Sequence, residues 1–380
     1  KRCQPYTNSP SISTPQKSLK IRRKNDEKFF AAVARTVYIR LTRCEFASMF
    51  SEKHSLMKTS DDSLRGLMMD TEKEKMEMDR LPWLPDMAGF FLQRKILRRK
   101  IPLLASFKVT HRCNLECRAC PFHLRTDEDN SRMSWDAAIA ALENLRRLGT
   151  RLVVFEGGEP LLWRDGRYRL HDLVLHARKN FLRVAVTTNG TLPLDVPSDT
   201  LWVSLDGMRE THNQLRSGSF DRILSNIQNA KHPKIYIHFT LNHRNWQEAD
   251  ALAKWVREMP TIKGMTVQFF YPYRQGEEDL SLSREERRAA VKKLLELKKA
   301  GYPVLNSSRR LKAMIQNDWR CHDDILINVD PDGTITQGCY VKSRGRIQCA
   351  ACGFTPVAEA SGALDLIPGS LYAGWQLFLK

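Results

Sequence analysis

The 380-residue chain contains no run of about 18 apolar residues, which is the length that a membrane-spanning helix requires. It also lacks the short apolar segment of a secretory signal peptide near its first residue, Lys1. Its 42% hydrophobic and 27% charged residues exclude a wholly disordered chain, a collagen and a low-complexity fibre. The sequence therefore predicts a cytoplasmic protein of two or three domains, or one large barrel with additions.

Acidic residues are the scarcer charged class, with 43 Asp and Glu against 61 Lys and Arg, and the formal net charge is +18. Residues 1–104 alone carry 22 basic and 12 acidic residues. An excess of positive charge favours an anionic partner, which could be a nucleic acid, a phospholipid surface or a phosphorylated substrate. Solvated surface charge without a partner is the alternative.

The nine cysteines are distributed unevenly along the chain. Two stand alone, three form a CxxxCxxC motif and four lie near the end: Cys3 and Cys44, then Cys113, Cys117 and Cys120, then Cys321, Cys339, Cys349 and Cys352. An odd total and such tight spacings argue against a secreted disulfide framework and favour metal binding in a reducing compartment. The two isolated cysteines are expected to be ordinary thiols.

From residue 105 onward the pattern alternates between strands and helices. Six strands are predicted, over 105–110, 151–158, 182–190, 201–207, 234–242 and 264–273. Ser134 is a predicted N-cap, and Ser283 with Glu286 forms a capping box at the start of a later helix. The nearly continuous apolar runs in the strands are typical of a buried parallel sheet. The predicted fold class is α/β, an open or partly closed barrel with its site at the C-terminal strand ends.

The CxxxCxxC motif follows the first predicted strand directly. Three thiolates in one loop can ligate three irons of a [4Fe–4S] cube and leave the fourth iron open for a cofactor or substrate. Zinc is the alternative metal, because His111 and His123 are near enough in sequence to complete a four-ligand site.

Further motifs follow the later strands in order. They are Gly157-Gly158-Glu159-Pro160, then Thr187-Thr188-Asn189-Gly190, then Ser204-Leu205-Asp206-Gly207, and finally His212, Arg216 and Gly218-Ser219-Phe220-Asp221. With the cysteine loop, this series resembles the radical S-adenosylmethionine superfamily over about residues 105–300. The resemblance implies a partial (β/α)6 barrel that binds a [4Fe–4S] cluster and S-adenosylmethionine.

The resemblance also implies which residues contact the cofactor. In that family the GGEP loop meets the methionine amino group, where glycines permit close backbone approach and a carboxylate can pair with an ammonium. Ser204 and Arg216 match positions that contact the methionine carboxylate, and Asn242 follows the fifth strand, where another polar contact is common. The full implied set is Gly157, Gly158, Glu159, Pro160, Thr188, Asn189, Ser204, Asp206, Arg216 and Asn242. No catalytic acid or base is assigned.

The last four cysteines flank a predicted hairpin that turns at Asp330-Pro331-Asp332-Gly333. This arrangement resembles the SPASM or twitch type of extension that holds an auxiliary iron–sulfur cluster. With Cys321, Cys339, Cys349 and Cys352 as ligands, one second [4Fe–4S] cluster is expected, and a structural zinc site is the alternative.

Four segments are predicted: a basic, poorly ordered extension over 1–80, an amphipathic basic segment over 81–104, the radical S-adenosylmethionine core over 105–305 and the auxiliary-cluster domain over 306–380. The resemblance implies an enzyme that generates a 5′-deoxyadenosyl radical for hydrogen abstraction or addition. It also implies a one-electron donor of the flavodoxin or ferredoxin type. Peptide and lipid substrates are expected ahead of a small molecule. The alternatives are a catalytically silent iron–sulfur or zinc scaffold and an RNA-modifying enzyme, while the segment 81–104 adds the option of contact with a membrane surface.

Overall fold

The computed structural model describes residues 83–118, 120, 122, 131–273, 276–342 and 347–380. The predictions made for Cys3, Cys44, His123 and the extension over 1–80 lie outside these residues.

The strands of the described residues form one large sheet and one small hairpin. In chain order they are β1 (Leu104–Thr110), β2 (Leu152–Gly157), β3 (Arg164–Asp165), β4 (Tyr168–Arg169), β5 (Arg183–Thr188), β6 (Thr200–Ser204), β7 (Ile235–Leu241), β8 (Ile262–Phe269), β9 (Leu326–Val329) and β10 (Ile335–Gln337). The large sheet has eight strands in the order β10-β9-β1-β2-β5-β6-β7-β8, and every pairing in it is parallel except that of β9 with β10. The predicted α/β class with a partial parallel barrel is confirmed.

The described residues form ten α-helices, most of which lie between one parallel strand of the large sheet and the next. They are α1 (Trp83–Lys95), α2 (Trp135–Arg147), α3 (Leu170–Arg178), α4 (Arg209–Leu215), α5 (Phe220–Asn229), α6 (Ala249–Glu258), α7 (Arg284–Lys299), α8 (Ser308–Ala313), α9 (Thr355–Leu364) and α10 (Pro368–Gly374). The side chain of Ser134 accepts a hydrogen bond from the Ala137 amide, and Ser283 and Glu286 form the reciprocal capping box. None of the described helices is long and apolar enough to cross a membrane.

The two sides of the large sheet carry different residues. On the outer side Phe107 and Phe155 lie 5.3 Å apart between ring centroids and pack in one core with Leu142 of α2 and Leu173 of α3. On the inner side the first half of each strand is apolar: Leu104, Leu152, Val154, Trp202 and Tyr236. The second half of the same strands is polar on this side: Ser106, Lys108, Glu156, Ser204 and His238. The inner side of the sheet thus changes from an apolar floor to a polar chamber towards the C-terminal strand ends.

The apolar end of the barrel is filled by residues from both ends of the described chain. Phe90 of α1 is fully buried against this floor. The Tyr236 hydroxyl donates to the Gln376 carbonyl at 3.1 Å, and the Thr200 hydroxyl donates to the Leu377 carbonyl at 2.7 Å. The opposite end, where the strands finish, therefore holds the site.

The C-terminal part of the chain continues the large sheet. β9 pairs in parallel with β1, with Leu104 opposite Leu326 and Phe107 opposite Val329. The strands of the segment 306–380 are thus hydrogen-bonded to those of the segment 105–305. The boundary at 305/306 stays a prediction.

Candidate metal centre and cofactor pocket

The loop that carries Cys113, Cys117 and Cys120 leaves β1 at the polar end of the sheet. Its backbone is fixed by the last residue of α4 and by the segment that follows. The Arg118 amide donates to the Leu215 carbonyl at 3.2 Å, and the Glu116 amide donates to the Ser217 hydroxyl at 3.1 Å. These hydrogen bonds therefore fix the backbone of the short loop that carries the three thiols.

Loops after two other strands supply N–H donors to the sulfur atoms. The Asn189 side-chain amide, after β5, lies 3.6 Å from Cys113 Sγ and also donates to Asn114 Oδ1 at 2.9 Å. The Arg216 guanidinium, after α4, lies 3.9 Å from Cys117 Sγ. Donors of this kind stabilise thiolate charge and tune the potential of an iron–sulfur cluster.

Burial opposes ionisation of the thiols. Removal from water raises the pKa of Cys117 to about 11 even though the Arg216 charge acts in the other direction, and burial also raises the pKa of Cys113. Metal binding must therefore displace protons from these groups, and affinity for the metal is expected to increase with pH.

The chemistry of the donor set suits an iron–sulfur cluster. Zinc requires its thiolates about 2.3 Å from a common centre, whereas a [4Fe–4S] cube gives each thiolate its own iron. Three cysteines spaced around one loop match the second requirement, with one iron left without a cysteine.

The GGEP loop packs on the backbone of the cysteine loop. The Gly158 amide donates to the Thr110 carbonyl, and the Glu159 amide donates to the Arg112 carbonyl, both at 2.8 Å. A Cβ at Gly158 would overlap the carbonyl oxygens of His111 and Arg112. Gly157 has a φ of +131° and an equally close neighbour in the Thr110 carbonyl. Both glycines are therefore needed for the approach of one loop to the other.

Glu159 is fully buried and joins two of the motif loops. Its carboxylate accepts hydrogen bonds from the Leu161 amide at 3.0 Å, the Thr188 hydroxyl at 2.8 Å and the Asn189 amide at 2.7 Å. Burial raises its pKa to about 7 in spite of these donors. Glu159 thereby positions Asn189 beside Cys113. Its pairing with the methionine ammonium stays a prediction, and Pro160 begins the short helix that follows.

A second buried network orients Arg216. The Asp206 carboxylate accepts from Arg216 Nε at 2.6 Å and from the Thr240 amide at 2.9 Å. His212 accepts from the Asp206 amide at 3.1 Å through Nδ1, so its proton lies on Nε2, which faces the Ser219 hydroxyl at 3.0 Å. Asp206, predicted as a cofactor contact, thus holds the arginine that lies beside Cys117.

The pH dependence of stability should report on His212. Burial lowers its pKa from 6.5 to about 4, so the unfolded chain binds the proton more readily and stability is lost as pH falls from 6.5 towards 4. We expect a loss of about 1 kcal/mol between pH 7 and 5.5 from this residue. Anaerobic urea unfolding of wild type and His212→Asn would measure it. The raised pKa of Glu159 acts in the opposite sense in both proteins, so only the difference between them counts. Parallel pH profiles would contradict the assignment.

Ser204 and Asn242 lie at the polar end of neighbouring strands. Ser204 is the last residue of β6 and is 7% exposed. Asn242 follows β7. Its side-chain oxygen accepts a hydrogen bond from the Arg244 backbone amide at 2.9 Å, and its backbone amide donates to Asn245 Oδ1 at 2.7 Å. The amide side chain of Asn242 is therefore used to shape the loop, and a contact with the cofactor from either residue stays a prediction.

A charged cluster in the chamber was not anticipated from the sequence. Lys108 on β1 is fully buried, and its ammonium lies 2.8 Å from Ser106 Oγ, 3.6 Å from an Asp330 oxygen and 4.0 Å from a Glu156 oxygen. The Ser106 hydroxyl also donates to Glu156. A lysine within the apolar strand 105–110 was the available signal, because a buried lysine needs a charged partner.

Removal of the lysine should leave two carboxylates without their counter-charge. We expect Lys108→Met to lower the free energy of unfolding by about 3 kcal/mol. In the double variant with Glu156→Gln, part of this loss should be recovered, because one uncompensated carboxylate is removed. Chemical denaturation of four proteins, the wild type, Lys108→Met, Glu156→Gln and the double variant, would test both statements, and strictly additive losses would contradict the pairing.

The C-terminal cysteines gather next to an aromatic wall. Burial and the charges of Cys339 and Cys349 together raise the pKa of Cys352 to about 12, so these three thiols are close enough to interact electrostatically. Burial raises the pKa of Tyr271, and the charges of the same three cysteines act in the same direction. The Tyr271 ring lies 5.2 Å from that of Phe354. The fourth predicted ligand, Cys321, is half-buried. Like Cys339 and Cys352, it packs against the apolar core on the inner side of the sheet. The four-cysteine ligand set stays a prediction.

Comparison with known proteins adds independent information. Residues 107–256 match the model of the radical SAM superfamily. The Fe-coproporphyrin III synthase of Methanosarcina barkeri is 31% identical over 217 residues, which is 52% of this chain and 53% of that protein. The AdoMet-dependent heme synthase of the same organism is 27% identical over 280 residues, or 67% of this chain and 78% of that protein. The chain thus spans about half the length of the first of these relatives.

Solved structures share the fold. Streptococcus suis SuiB, bound to the precursor peptide SuiA, superposes with a TM-score of 0.51 at 14% sequence identity, covering 88% of this chain and 78% of SuiB. The pre-heme d1 synthase of Dinoroseobacter shibae is a further sequence relative, 27% identical over 161 residues, with 39% of each chain covered.

Proposed function

Because the chain belongs to the radical S-adenosylmethionine superfamily and is an enzyme of that kind, we propose that it cleaves S-adenosylmethionine reductively at a cluster held by Cys113, Cys117 and Cys120. When bound, the cluster would supply one electron to the sulfonium of S-adenosylmethionine, and cleavage of the carbon–sulfur bond would give methionine and a 5′-deoxyadenosyl radical that can abstract hydrogen from the substrate or add to it. An external one-electron donor of the flavodoxin or ferredoxin type is part of the proposal.

One observation carries this proposal: the loops after β2, β5 and β6 all meet the cysteine loop. The Glu159 amide is hydrogen-bonded to that loop, Asn189 lies beside Cys113 and Arg216 lies beside Cys117. A silent metal scaffold needs the thiols but has no use for this convergence. The convergence therefore favours an enzyme over the scaffold.

The protein's own residues hold and shield the reacting groups. Arg216 places a positive charge beside Cys117 Sγ, and the Asn189 side-chain amide points an N–H group at Cys113 Sγ. The Asp206 carboxylate keeps the Arg216 guanidinium in place. The apolar floor under the chamber closes the barrel below the site, which excludes water from that side. Gly157 and Gly158 keep the two loops in contact.

We infer that the auxiliary site of Cys321, Cys339, Cys349 and Cys352 holds a second [4Fe–4S] cluster. The interaction of three of these thiols with each other, next to a wall of aromatic rings, supports it. With four cysteine ligands, such a cluster would be suited to electron relay rather than to direct substrate binding.

For the substrate, we propose that a carboxylated tetrapyrrole be tested first and a peptide second. The names of three relatives concern the synthesis of haem-type tetrapyrroles, a class that no motif of the sequence indicates. The net charge of +18 suits the carboxylates of such a molecule. The structural likeness to SuiB with its bound precursor peptide keeps peptides as the second candidate.

The test is an anaerobic assay of 5′-deoxyadenosine with reconstituted protein, S-adenosylmethionine and dithionite. We expect formation of 5′-deoxyadenosine that requires both the cofactor and the reductant, and stimulation of at least about tenfold by one member of a set of carboxylated tetrapyrroles. The set includes coproporphyrin III and iron-coproporphyrin III, the compound for which the first relative is named. Stimulation by a peptide library instead would move the substrate to the second class. No 5′-deoxyadenosine under any condition would favour the scaffold.

A further inference from the structure

One face of α1 is apolar and exposed to solvent. The helix contacts the rest of the protein through Phe90, which is fully buried. On the opposite side, apolar residues recur every fourth position and all are exposed: Leu84, Ala88 and Leu92 within α1, and Ile96 in the turn that directly follows it. The Ile96 amide still donates to the Leu92 carbonyl at 2.9 Å, as in a helix. Residues four apart lie above one another on a helix, so these four side chains form one continuous stripe. We call it the α1 stripe.

The three large side chains of the α1 stripe are each about half exposed to solvent. Leu84 is 50% exposed, Leu92 44% and Ile96 51%. Trp83 at the start of the helix and Leu97 just beyond its end are exposed as well. Scattered exposed apolar residues are ordinary, but a contiguous row of them marks an interaction surface.

Three exposed cations follow the stripe directly: Arg98, Arg99 and Lys100. The basic residues before them are engaged in ion pairs that attach the helix to the protein. Arg94 binds Asp324 at 2.9 Å, and Lys95 lies 3.9 Å from Asp365. The three cations at 98–100 therefore form a positively charged surface next to the α1 stripe.

We propose that the α1 stripe and the cations Arg98, Arg99 and Lys100 bind the surface of an anionic phospholipid membrane. An apolar helix face beside exposed Lys and Arg is the combination that lies at a membrane interface, with the apolar side chains among the acyl chains and the cations at the phosphates. The exposed Trp83 suits the same depth, because the indole is amphipathic. This binding goes beyond the cleavage of S-adenosylmethionine and does not depend on it.

The position of α1 defines what the membrane contact would do. Asp86 of the helix binds Arg151, the residue before β2, at 2.7 Å, and Arg94 binds Asp324, which shortly precedes β9. The helix thus lies at the starting ends of the strands, whereas the cysteine loop lies at their finishing ends. The membrane contact would anchor the protein with its chamber facing away from the lipid. It would not deliver a lipid substrate to the chamber.

Vesicle co-sedimentation of the full chain would test the proposal. The probes are vesicles of phosphatidylcholine with about 30% phosphatidylglycerol and vesicles of phosphatidylcholine alone. One variant carries Leu92→Gln and Ile96→Gln, and a second carries Arg98→Glu, Arg99→Glu and Lys100→Glu. A matched control reverses three exposed cations on α7, with Arg284→Glu, Lys292→Glu and Lys299→Glu.

We expect the wild type and the α7 control to bind the anionic vesicles, with affinity that decreases as salt increases. Each α1 variant should bind at least about tenfold more weakly. All variants should form 5′-deoxyadenosine at the wild-type rate, so failure of the anchor is distinguishable from failure of the enzyme proposal.

Several results would overturn the anchor. The first is wild-type protein that sediments with neither kind of vesicle, and the second is equal binding to both kinds. A third is α1 variants that bind as well as the wild type, since another basic part of the chain would then carry the contact. A fourth is loss of self-association in the α1 variants without vesicle binding, which would assign the α1 stripe to a second copy of the chain.

Discussion

We expect replacement of Cys113, Cys117 and Cys120 by alanine to remove about four irons per chain and to abolish 5′-deoxyadenosine formation. In the proposed function these three thiols ligate the cluster, and without the cluster no electron would reach the cofactor. Iron and sulfide analysis after anaerobic reconstitution measures the first effect, and chromatography of the reaction mixture measures the second.

The C-terminal cysteines provide the matched control. In the triple variant the iron of the second cluster that we propose for Cys321, Cys339, Cys349 and Cys352 should persist, because these cysteines lie on a different part of the chain. An unchanged iron content in the triple variant would contradict the assignment of the cysteine loop. Loss of all iron would indicate that the two sites do not assemble independently.

A valine at position 158 should have nearly the same functional effect without the removal of any ligand. A side chain there would overlap the carbonyl oxygens of His111 and Arg112, which are backbone atoms of the cysteine loop. The loop would have to move, and the hydrogen bond from the Gly158 amide to the Thr110 carbonyl would be lost with it. We expect Gly158→Val to lower cluster incorporation and 5′-deoxyadenosine formation by about 100-fold or more, because small displacements at an active site are costly.

Gly89 is the control for this substitution. It lies within α1, where an added Cβ would meet no atom within 4 Å. Gly89→Ala should therefore leave both readouts unchanged, with stability equal to or slightly above the wild type because alanine favours a helix. Normal cluster content in Gly158→Val would show that the two loops do not depend on each other.

The sequence predicted the barrel well because its signals are local. Each buried parallel strand is a short apolar run between turn residues, and the capping box of Ser283 and Glu286 requires only neighbours in the chain. The cysteine motif and the three loop motifs were equally visible, since each occupies a few consecutive residues. Their order along the strands was enough to bring them to one end of the sheet.

Contacts between residues that are far apart in the chain could not be predicted from the sequence. Nothing in the spacing of Asp330 and Lys108 indicates that β9 pairs with β1 and brings the two side chains within 3.6 Å. The use of the Glu159 carboxylate to hold Thr188 and Asn189 was also hidden, because it depends on the approach of two loops. The direction in which α1 turns its apolar stripe likewise required knowledge of what Phe90 packs against.

The electron paramagnetic resonance spectrum of the reduced protein, recorded with and without S-adenosylmethionine, tests the central claim most directly. A cluster with only three cysteine ligands has one iron open to the cofactor. We predict that the cofactor changes the g values of the signal that disappears in the Cys113, Cys117 and Cys120 triple variant. Superimposable spectra of the wild type with and without S-adenosylmethionine would contradict an open iron at this loop and, with it, the proposed chemistry.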